Sequence, residues 1–438
     1  MIRKILINNF NKLHILIFGH NPSNTMHQFI LNFFWSFLGI VYSSCAFFVG
    51  IILIGRALGP TEFGKYNLVL TISSMIVVFM SLGFDTTAIK YISGSKNKQE
   101  QRSYLSNSFW ILCISGPIIF LISFLLSNIF SEIINTHRIL IILASALSLV
   151  LAFKIMFDAF VKAFCKFKYQ AFVKIIESSI FVFLTLFVLL KIDKQEYIYF
   201  LIPSALASLL AVILYGKIII KEIAGWNLAA FKYSKNYLKL TLSVSFIGII
   251  IGTIDRLFIA KFLGMNNLGI YSAYLMSIII MSQLLMALSN VFFPMMNRET
   301  NKKQILRKID RLMFFAFIPV LVCVSILSFI VLKIFGPQYE INFLYISLVS
   351  LISYLQIVTT FYGAIVSSSV KLFSFTRMVY YFKPIFMLAL YYIAYTSENF
   401  QLVYVFFILA CSYLYDIFNT KITFKFTAPK IMGNLTRT

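Results

Sequence analysis

The stretch "GRALGPTEFGKYNLV", residues 55–69, is echoed by "AKFLGMNNLGIYSAY", residues 260–274. Leu58, Gly59, Gly64 and Tyr66 fall on Leu263, Gly264, Gly269 and Tyr271, and Arg56 falls on Lys261. Each pair is 205 positions apart, since 263 − 58 = 205. Both copies are small-residue turns set between long apolar runs. Glycine permits backbone conformations closed to other residues, and proline stops a helix. Gly59, Pro60 and Gly64 therefore predict a tight turn joining two antiparallel helices. Tyr66 is expected to restart the second helix at the level of lipid headgroups, where tyrosine is enriched.

The flanking runs decide the solvent. The 438 residues are 60% hydrophobic and 12% charged, against about a quarter charged in a soluble domain. Stretches such as "FILNFFWSFLGIVYSSCAFFVGIILI" (29–54) and "YIYFLIPSALASLLAVILYG" (197–216) reach the ~20 apolar residues that cross a bilayer as a helix. Short alternating strands, the mark of a membrane barrel, do not appear. Backbone polar groups in lipid must be satisfied within the segment. The expected fold is an all-α integral membrane protein of about 12 transmembrane helices, near 29–54, 66–84, 108–130, 138–160, 172–190, 197–216, 240–260, 268–293, 312–335, 342–367, 378–396 and 401–420.

Charge orients the helices. Net charge is +23, and the loops that would share one face hold 30 of the 38 Lys and Arg residues. Basic residues flank spans on the cytoplasmic side, so both termini are expected in the cytoplasm. The spread over seven short loops argues against nucleic acid, which would need a gathered basic module. Trp35, Trp110 and Trp226 fall near the same ends, as interfacial anchors do. The N-terminal 28 residues lack a small-residue cleavage site and read as a cytoplasmic tail. Cys45, Cys113, Cys165, Cys323 and Cys411 form no disulfide or zinc pattern.

The offset of 205 is close to half the chain and spans an even number of helices, so both turns are expected on the outer face. Phe130 and Phe335, at the same offset, end the third and ninth spans. The chain reads as two six-helix bundles in parallel orientation, 29–216 and 240–420. A cytoplasmic interfacial linker, 217–239, joins them, and a basic tail, 421–438, follows. Parallel repeats of this kind are a transporter plan with the site between the halves.

"RALGPTEFGKYN", "SLGFDTTAIKYIS" (81–93), "TIDRLFIAKFLGMNNLGIYSAY" (253–274) and "FGPQYE" (335–340) resemble the signatures of Wzx-type polysaccharide and O-antigen flippases. These are members of the multidrug/oligosaccharidyl-lipid/polysaccharide exporter superfamily. The resemblance covers the chain in layout and about four short stretches in residues. It implies transport of an undecaprenyl-diphosphate-linked oligosaccharide from the inner to the outer leaflet of the bacterial inner membrane. Membrane lipids are then partners, and polysaccharide polymerase and chain-length regulator proteins are candidates. No cofactor is expected beyond a coupling proton or sodium ion.

Charges within spans are costly, about 2.5–3.5 kcal/mol each on insertion scales, and usually face a bundle interior or a wet cavity. Asp255 and Arg256 interrupt the seventh span. As neighbours they do not face each other, so each should seek a partner on another helix, or water, and Asp255 is the candidate seat for the coupling ion. Lys154, Asp158 and Lys162 recur every four residues on one face, with Asp158 able to reach either lysine. Lys174 and Glu177 read as a second such pair. Snorkelling to the interface competes as an explanation for the lysines. The resemblance places Asp85 and Lys90 at the cytoplasmic entrance. Arg56 and Lys261 are duplicated outer cations suited to an anionic headgroup on release, and Arg377 belongs to an inner helix end. Lys and Arg both bind phosphate oxygens, the chemistry that a lipid diphosphate asks for.

Other classes fit less well. A polymerase would need a large outer loop, and the outer connections are short. No nucleophile–His set, outer carboxylate pair or metal cluster stands out, so an enzyme is not expected. No P-loop pattern is present. A multidrug exporter of the same superfamily would carry organic cations, which sit badly beside a basic lining. A peptidoglycan-precursor or teichoic-type lipid exporter shares the same physical demands.

Overall fold

The structure, a computed structural model, describes residues 24–95, 97–193, 195–298, 302–367, 379–397 and 400–435. Among them there is no strand, and thirteen helices follow one another. These are α1 Asn24–Ser81, α2 Phe84–Gly94, α3 Lys98–Leu125, α4 Ser127–Ile134, α5 Arg138–Ala163, α6 Phe167–Lys191, α7 Tyr197–Ile219, α8 Leu228–Phe258, α9 Gly264–Arg298, α10 Lys302–Phe335, α11 Phe343–Ser367, α12 Lys383–Thr396 and α13 Leu402–Leu435. Nine helical stretches among the described residues are long and apolar enough to cross a membrane. Two of these, Phe34–Ser81 and Tyr237–Ser282, are 48 and 46 residues long, more than twice the ~20 that a bilayer needs.

Both long stretches fold back at the repeated glycine. Gly59 has φ 68° and ψ 173° and Gly264 has φ 83° and ψ 173°, a region essentially reserved for glycine. Matched positions thus adopt one conformation. The Tyr271 hydroxyl donates to Asp255 Oδ2 at 2.5 Å. Sixteen residues of straight helix span about 24 Å, so that bond requires reversal near Leu263, midway between the two. A π-type turn, Ile259–Leu263, leads into it. In α1 the contacts reverse likewise. Before the break, Gly39 and Gly50 press on Ala171 and Phe181, in order along α6. After it, the Tyr66 hydroxyl meets Ser204 on α7 at 3.0 Å, and Ser73 donates to the Ala144 carbonyl of α5 at 2.9 Å. Pro60 sits where the second arm of α1 begins. Its fixed φ suits a first helical turn, and its missing N–H costs nothing there.

Tyr66 is buried at 2% exposure and Tyr271 at 0%, packed within the protein. The second arm of each hairpin lies against neighbouring helices, and each phenol finds a partner, as most buried hydroxyls do. The span expected over 66–84 ends at Ser81, because Leu82 (φ 49°) and Gly83 (φ 75°) are left-handed. The chain then bends into α2, which occupies much of the expected loop. The expected linker, 217–239, is helical at both ends and irregular only around 223–227. That stretch is clasped by α3. Asn107 Nδ2 donates to the Asn227 carbonyl at 2.7 Å, Asn227 N–H donates back to Asn107 Oδ1 at 2.8 Å, and Trp110 Nε1 donates to the Ala224 carbonyl at 3.0 Å.

Candidate functional site

Helices α5, α6 and α7 carry polar residues on the faces that meet one another and the first arm of α1. Between them lies a cavity of about 220 Å³ lined by Ser43, Phe47, Lys154, Asp158, Lys174 and Tyr215, with Ile155 and Glu177. The Lys154 ammonium bonds Glu177 Oε1 at 2.8 Å and Ser208 Oγ at 3.1 Å. Lys162 pairs with Asp158 at 2.7 Å, and Asp158 also accepts from Gln170 Nε2 at 2.7 Å and the Tyr215 hydroxyl at 3.1 Å. The expected Lys174–Glu177 pair does not form. Glu177, 7% exposed at its side chain, takes its cation from Lys154 across the α5–α6 interface. Lys174 makes no hydrogen bond and no ion pair within 4 Å among the described residues, with Asp158 and Glu177 only in longer electrostatic reach. Three lysines against two carboxylates give this cluster a net charge of +1, held by Lys174.

A second cavity, about 430 Å³, is almost wholly apolar. Ile40, Val41, Phe47, Phe48 and Ile51 of α1 face Met276 and Ile280 of α9 across it. Phe47 lines both cavities. A charged pocket and a greasy cleft therefore share a wall, which is the geometry that an amphiphile with an anionic head needs.

Asp255 is 5% exposed and forms no ion pair among the described residues. It accepts from Tyr271 and, at 2.8 Å, from the Arg256 backbone N–H. The Arg256 guanidinium points elsewhere: Nη1 lies 3.5 Å from Thr71 Oγ1 on α1, and Nε is buried without a partner. The Tyr391 hydroxyl is also buried without one. Asp255 is thus a buried carboxyl beside phenols, held by two hydrogen bonds and by no cation among the described residues. A pair absent from the sequence expectations, Lys383–Asp416 at 2.6 Å, joins α12 to α13. Only the folded bundle could show it, since the two residues are 33 positions apart.

The remaining expected residues scatter. Asp85 opens α2 and does not line the charged cavity, although Lys162 of that cluster lies within its electrostatic reach, and burial raises its carboxyl above the usual range. Lys90 Nζ lies 3.5 Å over the Tyr237 ring. Arg56 and Lys261 are exposed, and Lys261 lies 5.3 Å over Phe262. Arg377 lies outside the described residues.

The two hairpin turns meet. A Cβ on Gly64 would lie 1.9 Å from the Met265 carbonyl oxygen, and one on Gly269 would lie 1.8 Å from the Pro60 oxygen. Because Met265 is 60 + 205 and Gly269 is 64 + 205, the contact is reciprocal. Thr61 Oγ1 donates to Asn266 Oδ1 at 3.4 Å, again a pair 205 apart. The "FGPQYE" segment joins the same contact: the Tyr339 hydroxyl donates to the Gly55 carbonyl at 2.8 Å, and Phe335 packs 5.6 Å from the Phe63 ring. Motifs distant in sequence thus close one end of the molecule together.

Comparisons with known proteins agree with this geometry. Solved structures with the same fold include an inward-facing multidrug resistance MATE family transporter of the MOP superfamily. It has a TM-score of 0.65 at 11% identity, over 91% of this chain and 98% of that one. The lipid II flippase MurJ in an inward closed conformation gives 0.61 at 14% identity, over 90% and 87%. A MOP superfamily transporter from Pyrococcus furiosus gives 0.59 at 11%, over 91% and 94%. No curated protein sequence matches. The profile of the family described as polysaccharide biosynthesis protein matches residues 29–299. With a fold shared with MOP superfamily structures, nine apolar membrane-length helical stretches among the described residues and a profile match over more than half its length, this multi-pass membrane chain is a member of the polysaccharide biosynthesis protein family.

Proposed function

We propose that the protein is a flippase for undecaprenyl-diphosphate-linked oligosaccharide in the bacterial inner membrane, serving O-antigen or capsule synthesis. Its twelve spans form two parallel six-helix bundles, 29–216 and 240–420, with both termini in the cytoplasm. The observation that carries this reading is the shared Phe47 wall, with a lysine-rich pocket on one side and an apolar cleft on the other. Lys174 and Lys154 would meet the diphosphate, and the cleft between α1 and α9 would hold the first part of the isoprenoid chain. The two halves rock so that the interlocked turns, which lie outside, meet in one state and part in the other. Moving about two negative charges outward from an inside-negative cell gains roughly 4–5 kcal/mol per 100 mV. Deletion of the gene is expected to leave lipid-linked oligosaccharide in the inner leaflet, inaccessible to an impermeant periodate probe added outside. Equal labelling in deletion and parent strains would remove the reading, and dye sensitivity alone would favour drug export.

Asp255 is the seat of a coupling proton or sodium ion in this scheme. Asp255→Asn keeps the Tyr271 contact and cannot bind a cation as a carboxylate does. In proteoliposomes, its flipping rate should lose all response to imposed proton and sodium gradients, while that of the parent changes several-fold. A parent rate that ignores both gradients would exclude coupling.

A further inference from the structure

At the end of the molecule away from the interlocked turns, α3 and the start of α8 enclose a cleft of about 620 Å³, inside the ~300–1,000 Å³ range of small-molecule sites. We infer that this cleft binds the neutral sugar portion of the transported glycan at the cytoplasmic face before the lipid diphosphate enters the bundle. The inference rests on the flippase reading and adds a second, separate site to it.

The lining is of the kind that recognises carbohydrate. A pyranose ring has a C–H face that packs on aromatic rings and a rim of hydroxyls that both donate and accept hydrogen bonds. Tyr104 and Tyr233 supply rings at the cleft, and Gln99, Ser103 and Asn227 supply amides and a hydroxyl. Behind them Tyr91 stacks on Tyr104 at 5.0 Å and meets Tyr233 edge-on at 5.6 Å, so the aromatic ledge is braced. Tyr233 is nonetheless 71% exposed. A phenol ring left this exposed within a braced cluster, before the apolar stretch that begins at Tyr237, is surface suited to a partner.

Charge separates this cleft from the cavity at Lys174. No cation lines it among the described residues, and it carries the Glu100 carboxylate. Arg102 nearby is already paired with Glu222 at 2.7 Å, and Lys90 is spent on the Tyr237 ring. With Glu100 in its lining and the neighbouring Lys98 and Lys232 outside it, the cleft offers a diphosphate no lining cation, whereas the lysine pocket does; a hydroxyl-rich uncharged ligand needs none. The floor is rigid, because Asn227 both caps α8 through Ala230 N–H at 3.1 Å and exchanges hydrogen bonds with Asn107. Little ordering is then left for binding to supply.

The full-length protein in nanodiscs tests this with three probes. They are lipid-linked oligosaccharide extracted from cells lacking this gene, undecaprenyl diphosphate, and the oligosaccharide released from the first by mild acid. The parent should bind the first probe more tightly than the second. Tyr233→Ala and Gln99→Ala, both at exposed side chains, should weaken the first at least tenfold, leave the second within twofold, and abolish binding of the released glycan. Tyr233→Phe, which keeps the ring, should retain most of the affinity. If sugar-dependent binding survives unchanged in Tyr233→Ala and Gln99→Ala, the cleft is not the glycan site, and the flippase reading stands. If the parent itself does not distinguish the first two probes, that reading fails and takes the cleft with it. Loss only of co-purification with a second membrane protein would make the cleft a protein interface and overturn the assignment.

Discussion

Valine in place of Gly64 or Gly269 is expected to reduce transport by about one to two orders of magnitude while leaving the protein folded. Neither glycine has a positive φ, so a side chain fits each helix by itself. It has no room against the opposite turn, where a Cβ would stand 1.8–1.9 Å from a carbonyl oxygen. The clash is with backbone, which cannot swing aside as a side chain can. Overpacking costs roughly 1–3 kcal/mol for each inserted group in a tight contact. Here the cost falls only on the state in which the two turns touch, so the equilibrium shifts toward the state open at that end by about 5- to 150-fold. Valine, with two further methyl groups aimed at the same oxygen, should exceed alanine. The measurement is a disulfide between Thr61→Cys and Asn266→Cys, whose parent side chains touch at 3.4 Å. It should form rapidly in the otherwise unchanged protein and scarcely at all in the valine variants. Normal transport by Gly64→Val and Gly269→Val would show that the turns need not close.

Lys174 and Lys154 should behave in opposite ways although they share a cavity. Lys174→Ala removes an ammonium that makes no hydrogen bond or close ion pair among the described residues and feels Asp158 and Glu177 only at longer range, so stability should fall little while transport falls at least tenfold. Lys154→Ala leaves Glu177 buried without its cation. Stranding one member of a buried pair costs about 3–5 kcal/mol. The lower end applies because the Lys154 side chain is 23% exposed. A lower melting temperature and lower membrane abundance are expected. The double variant Lys154→Met, Glu177→Gln should recover stability, because no lone charge remains, and it isolates the contribution of Lys154 to phosphate binding. A Lys174→Ala protein that transports normally would move the diphosphate site elsewhere in the molecule.

The hairpin turns were legible because their signal is local. Leu58, Gly59, Gly64 and Tyr66 repeat at a fixed offset, and a glycine that must adopt φ 68° or 83° leaves a mark in sequence wherever it occurs. The lysine cluster was half legible. Helical spacing put Lys154, Asp158 and Lys162 on one face, and Lys162 did pair with Asp158. Spacing could not tell that Glu177 would face Lys154 rather than Lys174. Which helix lies beside which is a property of the packed bundle and has no period in the chain. For the same reason Tyr215, Gln170, Ser208 and the Lys383–Asp416 pair left no trace that reading along one helix could find.

What the sequence determined by itself was the solvent, the helical class and the two reversals. Each follows from residues within one turn or one span, through the cost of unsatisfied backbone in lipid and the freedom of glycine. The tertiary structure alone decided that the two turns interlock, that Tyr66 and Tyr271 are buried, and that Lys174 is the lysine left unpaired. Those outcomes depend on atoms brought within about 3 Å from positions dozens to hundreds of residues apart, and no local pattern encodes such a meeting.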